Sequence, residues 1–318
     1  MNGSGTMTYE LFASTQPSFA GKSTSLYLLD IDGTLVTSKS GRRWATDASD
    51  WIFLGDVTGT LRRLHEEGWT VALITNQSDW KVSPDPAAKI ASILAAIEGA
   101  IGWKPWTLVA TATRKEKDTV YRKPARGLYD VLLDALSGQT PVRVRMCGDA
   151  VGPTDPYPPY RWADSDAAFG IAIGAEFVRP CDLFETPKAT PSVLKIQELV
   201  ILMGNPGSGK STTGRLLAAA GYVHIEQDVV GTKAAVKKAV LAGLATGASV
   251  AVDATHGSAV NREPYVTLAS ERGIPVRILW HIRDGRPFNA LRPKPVPEVA
   301  YAVYSKHFVS PEIAELVF

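Results

Sequence analysis

The chain has 318 residues, of which 45% are hydrophobic and 21% charged, and this length suits two ordinary globular domains. The net charge of +2 excludes a broadly basic, non-specific DNA-binding surface, and no apolar run is long enough to span a bilayer. Cys147 and Cys181 are too few for a disulfide framework. We expect an intracellular protein with no membrane contact, nuclear in a eukaryote and cytoplasmic otherwise.

Residues 1–24 are rich in Gly, Ser and Thr, and we expect a disordered N-terminal segment there. From residue 25 to 188, apolar strand patterns alternate with helical patterns, which predicts a first α/β domain. The predicted strands are 25–29, 71–75, 107–111 and 142–146. The predicted helices are 58–67, 87–101 and 128–136.

A Pro/Thr/Ser stretch at 186–192 indicates a domain boundary, and residues 193–318 form the second predicted domain. Its predicted strands are 199–203, 222–225, 249–252 and 276–280, with helices at 211–220, 232–244 and 261–271. Both domains are therefore predicted to be doubly wound parallel sheets. In such sheets, ligands bind beyond the carboxyl ends of the strands.

The first chemical motif follows the first predicted strand, where Leu26–Leu29 is succeeded by Asp30, Asp32 and Gly33. Two carboxylates at positions i and i+2, followed by a glycine that allows a turn, place a nucleophile and a proton donor together at the end of the strand. An ordinary Asp/Gly turn is the alternative, but the full Asp-x-Asp-Gly-Thr-Leu run is more specific. The pattern favours phosphate-ester hydrolysis by an aspartate nucleophile.

Three further segments end predicted strands or follow them, and with the first motif they resemble the haloacid-dehalogenase phosphatase superfamily. They are Thr75-Asn76-Gln77, Arg122-Lys123-Pro124 and Cys147-Gly148-Asp149-Ala150. The resemblance implies Asp30 as nucleophile and Asp32 as acid/base, with phosphate bound by Thr75, Asn76 and Lys123. It also implies Mg²⁺ bound by Asp30, Asp32 and Asp149, with Asp164 or Asp166 as the assisting acid and Asp166 favoured.

The second motif is a complete P-loop pattern after an apolar strand and before a helix. Its predicted nucleotide-binding residues are Gly204, Asn205, Pro206, Gly207, Ser208, Gly209, Lys210, Ser211 and Thr212. Backbone N–H groups and the helix N-terminus favour phosphate, Lys210 would reach the β/γ-phosphates of ATP, and Ser211 would bind Mg²⁺.

Candidates for the acceptor side of this second site follow the later strands. Asp228 is the predicted general base, with a helix N-cap as its alternative role. Asp253 and Thr255 are candidates for the metal or the acceptor. Arg292 is the preferred lid arginine, and Arg286 is a weaker candidate that could equally be a solvated surface residue.

From about residue 25 to its end, the chain resembles the polynucleotide kinase 3′-phosphatases, with the phosphatase-then-kinase order of the animal enzymes. The matching segments beyond the generic motifs include 37–42, 48–51, 221–224 and 303–308. The resemblance implies a bifunctional end-repair enzyme that removes 3′-phosphates and phosphorylates 5′-hydroxyl ends with ATP. The implied partners are DNA ends and factors of DNA repair or ligation, with RNA ends and the oligomeric state left open.

The sequence also departs from this family pattern. We expect no forkhead-associated domain, Gln227 replaces the usual basic residue, and Asp253-Ala-Thr-His256 differs from the usual Asp-Asn-Thr-Asn. A small-metabolite kinase fused to a sugar-phosphate phosphatase is the alternative enzyme. A scaffold protein that uses ATP only as a switch is the alternative from another class, but it has no need of the phosphatase aspartates.

Overall fold

The structure is a computed structural model that describes residues 8–17, 24–78, 80, 85–113, 115–116, 120–137, 140–155, 162–184, 192–289, 292, 294–311 and 314–317. The chain divides into two compact units, one of Met1–Thr37 with Trp44–Glu185 and one of Ser38–Arg43 with Thr186–Phe318. The predicted linker at 186–192 lies outside the described residues except for Ser192.

The prediction gave Ser38–Arg43 to the first domain, whereas this segment groups with the second unit. The reason lies in packing within that unit. The Arg286 guanidinium donates a hydrogen bond to the Gly41 carbonyl at 3.1 Å, and a Cβ at Gly41 would collide with the Tyr304 ring.

The strands that belong to the main sheet of the first unit, numbered along the chain, are β1 Tyr9–Phe12, β2 Ser25–Leu29, β5 Trp69–Asn76, β6 Trp106–Ala110, β7 Arg143–Cys147 and β8 Glu176–Val178. They form a six-stranded sheet in the order β1-β6-β5-β2-β7-β8. A separate small sheet consists of β3 Val36–Ser38 and β4 Trp51–Phe53. The helices are α1 Val57–Glu66, α2 Pro86–Ile101, α3 Gly127–Ala135, α4 Ser165–Ala172 and α5 Pro180–Leu183.

The prediction of a disordered segment over residues 1–24 is wrong for β1, which pairs antiparallel with the edge strand β6. A four-residue strand carries too little alternation to stand out in the sequence, and backbone pairing with an existing edge stabilises it. Residues 1–7 and 18–23 lie outside the described residues.

The central strand β2 is buried on both faces, which is why its sequence reads as a continuous apolar run. Tyr27 and Leu29 belong to the core between the sheet and α1 and α2, whereas Leu26 and Leu28 belong to the core on the opposite face. The strands β5 and β7 pair in parallel with the two edges of β2. This arrangement confirms the predicted doubly wound sheet, with β1 as its one antiparallel strand among the described residues.

The second unit contains a five-stranded, entirely parallel sheet in the order β10-β11-β9-β12-β13. Its strands are β9 Leu199–Gly204, β10 Val223–Glu226, β11 Val250–Asp253, β12 Val276–His281 and β13 Glu315–Val317. Its helices are α6 Lys210–Ala219, α7 Gln227–Val230, α8 Lys233–Ala245, α9 Ala259–Ser270, α10 Arg286–Asn289 and α11 Glu298–His307. Among residues in the described ranges, no helix is long and apolar enough to cross a membrane.

Local capping explains where several helices begin and end. Asp85 caps α2 by accepting a hydrogen bond from the Ala88 N–H, and Gly102 ends the same helix in the left-handed conformation at φ 83°. Thr232 and Ser258 cap α8 and α9 in the same manner. These caps set the first residues of α2, α8 and α9 and the end of α2.

Candidate phosphoryl-transfer sites

Asp30 is placed by the end of the central strand of the first unit. Its backbone N–H donates to the Cys147 carbonyl at 2.9 Å, which continues the pairing of β2 with β7. The chain then turns at Gly33, where φ is 82° and a Cβ would collide with the Asp149 carboxylate. Gly33 is thus required both by the turn and by the close approach of Asp149.

Asp30, Asp149 and Asp166 form a buried carboxylate cluster, in which one oxygen of each lies within 4.8 Å of the others. Lys123 Nζ donates to Asp30 Oδ1 at 2.7 Å and forms an ion pair with Asp166 Oδ1 at 2.6 Å. One lysine therefore balances part of the charge of three carboxylates, and this cluster is an all-oxygen ligand set of the kind that Mg²⁺ prefers.

Burial and mutual repulsion disfavour the ionised form of the carboxylates in this cluster. Burial raises the pKa of Asp30 to about 7; Lys123 opposes this rise, and Asp166 adds to it. Burial also holds the pKa of Asp149 well above its ordinary value, with Asp166 and Asp30 acting in the same direction. Asp149 Oδ1 is buried and has no hydrogen-bond partner in the described part of the chain. A divalent ion would pair that oxygen and favour the ionised carboxylates.

The Asp32 carboxylate is not part of this cluster, and the role of Asp32 as a metal ligand stays a prediction. Gln77 Nε2 donates to Asp32 Oδ2 at 2.7 Å, and Lys89 Nζ lies 3.1 Å from the same oxygen. Lys89 also donates to the Ala45 carbonyl at 3.3 Å. The neighbouring lysine and amide hold the carboxylate away from the buried cluster. Lys89 is a site residue that the sequence interpretation missed.

Thr75 and Asn76 end the strand β5, beside β2, but their side chains have different surroundings. The Thr75 hydroxyl is buried and accepts a hydrogen bond from Gln77 Nε2 at 2.9 Å. The Asn76 amide binds the backbone of Lys123 instead, accepting from its N–H at 2.9 Å and donating to its carbonyl at 3.1 Å. These contacts position Lys123, and phosphate binding by Asn76 stays a prediction.

The two candidates for the assisting acid are separated clearly. Asp166 lies in the first turn of α4, is buried, and accepts a hydrogen bond from the Ala150 N–H at 3.0 Å. Asp164 is exposed and makes no capping hydrogen bond at the start of the same helix. Trp162, another residue that the sequence did not assign, donates from Nε1 to Asp149 Oδ2 at 2.8 Å.

In the second unit, the buried strand β9 leads into the loop of residues 205–209, and α6 follows directly. Gly209 has a φ of 106°, which a side chain would disfavour at the point where the loop enters the helix. Asn205 fastens the loop to a neighbouring segment, since its Oδ1 accepts from the Gly285 N–H at 2.9 Å. The predicted nucleotide-binding residues thus form the loop and first turn at a strand end.

Lys210 is buried and lies on this loop, with Nζ donating to the Asn205 carbonyl at 2.7 Å. Burial lowers the pKa of Lys210 to about 8; Arg292 lowers it further, and Asp253 and Asp228 oppose the change. Anionic phosphates in the loop would favour the charged ammonium. Lys210 Nζ lies where it could donate to a phosphate oxygen instead of to the Asn205 carbonyl.

Asp253 ends β11, the strand beside β9, close to the beginning of α6. Burial raises the pKa of Asp253, but nearby His224, Lys210 and the Ser211 hydroxyl outweigh it, so the pKa lies below the ordinary value. Asp253 Oδ2 is buried and lies 3.4 Å from His224 Nε2, with no other hydrogen-bond partner among the residues described. A hydroxyl beside an ionised carboxylate is a donor set that fits a divalent ion at a nucleotide site.

The candidates on the acceptor side occupy more open positions. Asp228 lies in the short helix α7 with its side chain 88% exposed, and Arg292 Nη2 is 3.9 Å from its Oδ2. Thr255 lines a cavity of about 480 Å³ whose wall includes Gln227, Lys233, Lys237 and His256. The exposed carboxylate of Asp228 leaves space for an acceptor that is too large to be enclosed.

Arg286 is held by several neighbouring side chains, and its role as a lid arginine stays a prediction. It forms ion pairs with Asp284 at 3.1 Å and Glu298 at 3.0 Å, and its guanidinium lies 4.7 Å from the centre of the Tyr301 ring. These contacts hold it as a packing residue between α10 and α11, whereas Arg292 remains directed toward Asp228.

Each unit, taken by itself, carries side chains suited to handling phosphoryl groups at the carboxyl edge of an α/β sheet. The fold and these two sites define the chain as an α/β phosphoryl-transfer protein. The family model for polynucleotide kinase 3 phosphatase matches residues 25–184, and the chain belongs to this family.

Similar proteins extend the match beyond the first unit. A bifunctional polynucleotide phosphatase/kinase of Schizosaccharomyces pombe is 26% identical over 329 residues, covering 92% of this chain and 78% of that protein. A putative bifunctional polynucleotide phosphatase/kinase of Acanthamoeba polyphaga mimivirus is 24% identical over 356 residues, covering 90% and 81%. A D,D-heptose 1.7-bisphosphate phosphatase structure from B. bronchiseptica covers 48% of this chain and 79% of its own, at 19% identity and a TM-score of 0.38.

Proposed function

We propose that the chain is a bifunctional nucleic-acid end-repair enzyme. Its first unit removes a 3′-phosphate and its second unit transfers the γ-phosphate of ATP to a 5′-hydroxyl, which together give ends that a ligase joins. The observation that carries the proposal is the presence, in one chain of this family, of a buried Asp30–Lys123 centre and a P-loop with Lys210 on its backbone.

In the first reaction, Asp30 attacks the phosphorus of the 3′-phosphate, and the bond to the 3′-oxygen breaks as Asp32 gives that oxygen a proton. Water, losing a proton to Asp32, then cleaves the aspartyl-phosphate and releases inorganic phosphate. Lys123 and the Thr75 hydroxyl bind the phosphoryl oxygens. Asp30, Asp149 and Asp166 would hold Mg²⁺, which supplies positive charge against the transferring phosphoryl group.

In the second reaction, Asp228 takes the proton of the 5′-hydroxyl, whose oxygen attacks the γ-phosphorus while the bond to the β-phosphate oxygen breaks. Lys210 and the loop N–H groups hold the phosphates of ATP, and Arg292 stabilises the transferring charge. Ser211 and Asp253 would hold a divalent ion, which would supply positive charge against the transferring phosphoryl group.

The choice of a nucleic-acid end as substrate rests on the family and on similarity across nine-tenths of the chain to two proteins named for polynucleotide substrates. The exposure of Asp228 supports it, because a polymer end approaches an open base more readily than an enclosed one. We propose DNA ends as the main substrate, repair or ligation factors as partners, and the nucleus as the compartment in a eukaryotic source.

The test is an oligonucleotide that carries both a 5′-hydroxyl and a 3′-phosphate, incubated with the full chain, ATP and Mg²⁺. The proposal predicts a gain of phosphate at one end and a loss at the other. No change at either end, together with turnover of a sugar phosphate or small alcohol, would favour the metabolite-enzyme alternative. A matched RNA oligonucleotide measures the preference between DNA and RNA.

A further inference from the structure

His224, Glu226 and Asp253 form a second group of potential metal ligands, of which the proposed kinase reaction uses only Asp253. One ligand atom from each lies within 4.8 Å of the others. The parallel pairing of β10 with β11 brings them together, since Glu226 lies opposite Asp253 in the register. The side chains of His224 and Asp253 are only 9% and 6% exposed.

Two atoms of this group have only each other as a polar partner, at a long distance. His224 Nε2 and Asp253 Oδ2 are buried and face each other at 3.4 Å, and neither atom has a hydrogen-bond partner in the described ranges other than this long mutual contact. Buried polar atoms without partners are rare and unfavourable. A cation between these two atoms would pair both of them.

The separation of the two atoms also fits coordination. An ion about 2.0–2.2 Å from an imidazole nitrogen and a carboxylate oxygen that lie 3.4 Å apart subtends an angle of about 110°, which is close to tetrahedral. Gly214 of α6 leaves room for the ring, because a Cβ there would collide with the His224 imidazole.

Glu226 occupies the place of an outer carboxylate behind the histidine. Its Oε1 lies 3.5 Å from His224 Nδ1, the nitrogen on the opposite side of the ring from the one facing Asp253. A carboxylate at that nitrogen keeps the proton on Nδ1 and presents Nε2 as the ligand, an arrangement common behind metal-bound histidines.

We propose that His224 Nε2 and Asp253 Oδ2 bind a divalent transition-metal ion beside the P-loop, with Glu226 orienting the imidazole. An imidazole ligand favours ions such as Mn²⁺, Co²⁺ or Zn²⁺ over Mg²⁺, whereas the oxygen-only cluster of the first unit suits Mg²⁺. The inference goes beyond the proposed function, because it assigns a different ion preference to each unit and requires no catalytic turnover.

The experiment uses the full chain with Asp149→Asn, which removes a ligand of the other cluster, and Mn²⁺ as the probe, without ATP or oligonucleotide. Pulsed electron paramagnetic resonance should show nitrogen coupled to Mn²⁺. His224→Gln should abolish this nitrogen signal and weaken Mn²⁺ binding at least tenfold. Glu226→Gln should keep the signal and weaken binding about 10–100-fold. His307→Gln, which changes an exposed histidine at the end of α11, should alter neither.

Absence of nitrogen coupling in the parent protein overturns the proposal, as does an unchanged signal in His224→Gln. If His224→Gln does not fold, Asp253→Asn decides, because it should release the ion and a retained signal contradicts the site. Displacement of Mn²⁺ by an equal concentration of Mg²⁺ overturns the ion preference. Since no substrate is present, failure of this site and failure of the kinase proposal are separate results.

Discussion

Replacement of Lys123 by methionine tests the electrostatic design of the first site. The variant keeps most of the side-chain volume but leaves Asp30 and Asp166, which Lys123 contacts at 2.7 and 2.6 Å, without their buried cation. Removing one partner of a buried ion pair costs about 3–5 kcal/mol in the free energy of unfolding. At about 2–4 °C per kcal/mol for a unit of this size, the melting temperature of the first unit should fall by about 6–20 °C.

The expected loss depends on pH, and its sign follows from Asp30. Lys123 opposes the burial that raises the pKa of Asp30 to about 7, so removal of the lysine raises that pKa further. An acid whose pKa is raised in the folded protein contributes most to stability below its ordinary pKa near 3.8, where it is protonated. This contribution is lost as the pH rises through the pKa that the acid has in the folded protein. The loss of stability caused by Lys123→Met should therefore be largest above pH 7 and become smaller toward pH 4.

Thermal unfolding of the metal-free wild-type and Lys123→Met proteins at several pH values measures this loss of stability directly. Lys104→Met is the matched control, because Lys104 pairs with Glu98 at 3.8 Å on the surface and should change stability by less than about 1 kcal/mol. If Lys123→Met had the same melting temperature as the wild type at pH 8, the assignment of Lys123 as the charge partner of the cluster would be refuted.

Three further outcomes follow from the same site. Gly33→Ala should lower the phosphatase rate at least about 100-fold and leave the kinase rate unchanged in oligonucleotide assays, because its Cβ displaces the Asp149 carboxylate; an unaltered phosphatase rate would contradict the packing. Mg²⁺ should raise the melting temperature more at pH 8 than at pH 5, because Asp30 with a pKa of about 7 must ionise to bind it; equal shifts would argue against Asp30 as a ligand. Lys89→Met should lower the phosphatase rate about 10–100-fold through misplacement of Asp32, with the kinase rate as internal control, and a wild-type rate would exclude a positioning role.

Much of the arrangement follows from the order of the strands. Because β5, β2 and β7 are parallel neighbours, residues after their carboxyl ends converge, and the sequence motifs around Thr75, Asp30 and Asp149 could be placed together without a structure. The P-loop was equally predictable, since its spacing, the preceding apolar strand and the following helix all specify one conformation.

Contacts between residues that are far apart in the sequence could not be predicted in this way. Lys89 lies within the helix α2, where a lysine normally indicates a solvated face, and only the packing of that helix against the sheet brings it to Asp32. Asn76 follows Thr75 in a phosphate-binding pattern, but its amide matches the Lys123 backbone. Short elements such as β1 and α10 contain four residues each, too few to show a hydrophobic period.

The most direct test of the account is the separation of the two activities in one assay. Asp30→Ala and Lys210→Ala proteins are each given an oligonucleotide with a 5′-hydroxyl and a 3′-phosphate, and both ends are measured. The account predicts that Asp30→Ala loses only dephosphorylation and that Lys210→Ala loses only phosphorylation. Loss of both activities in either folded variant, or an unchanged oligonucleotide with the wild-type chain, would contradict two independent phosphoryl-transfer sites.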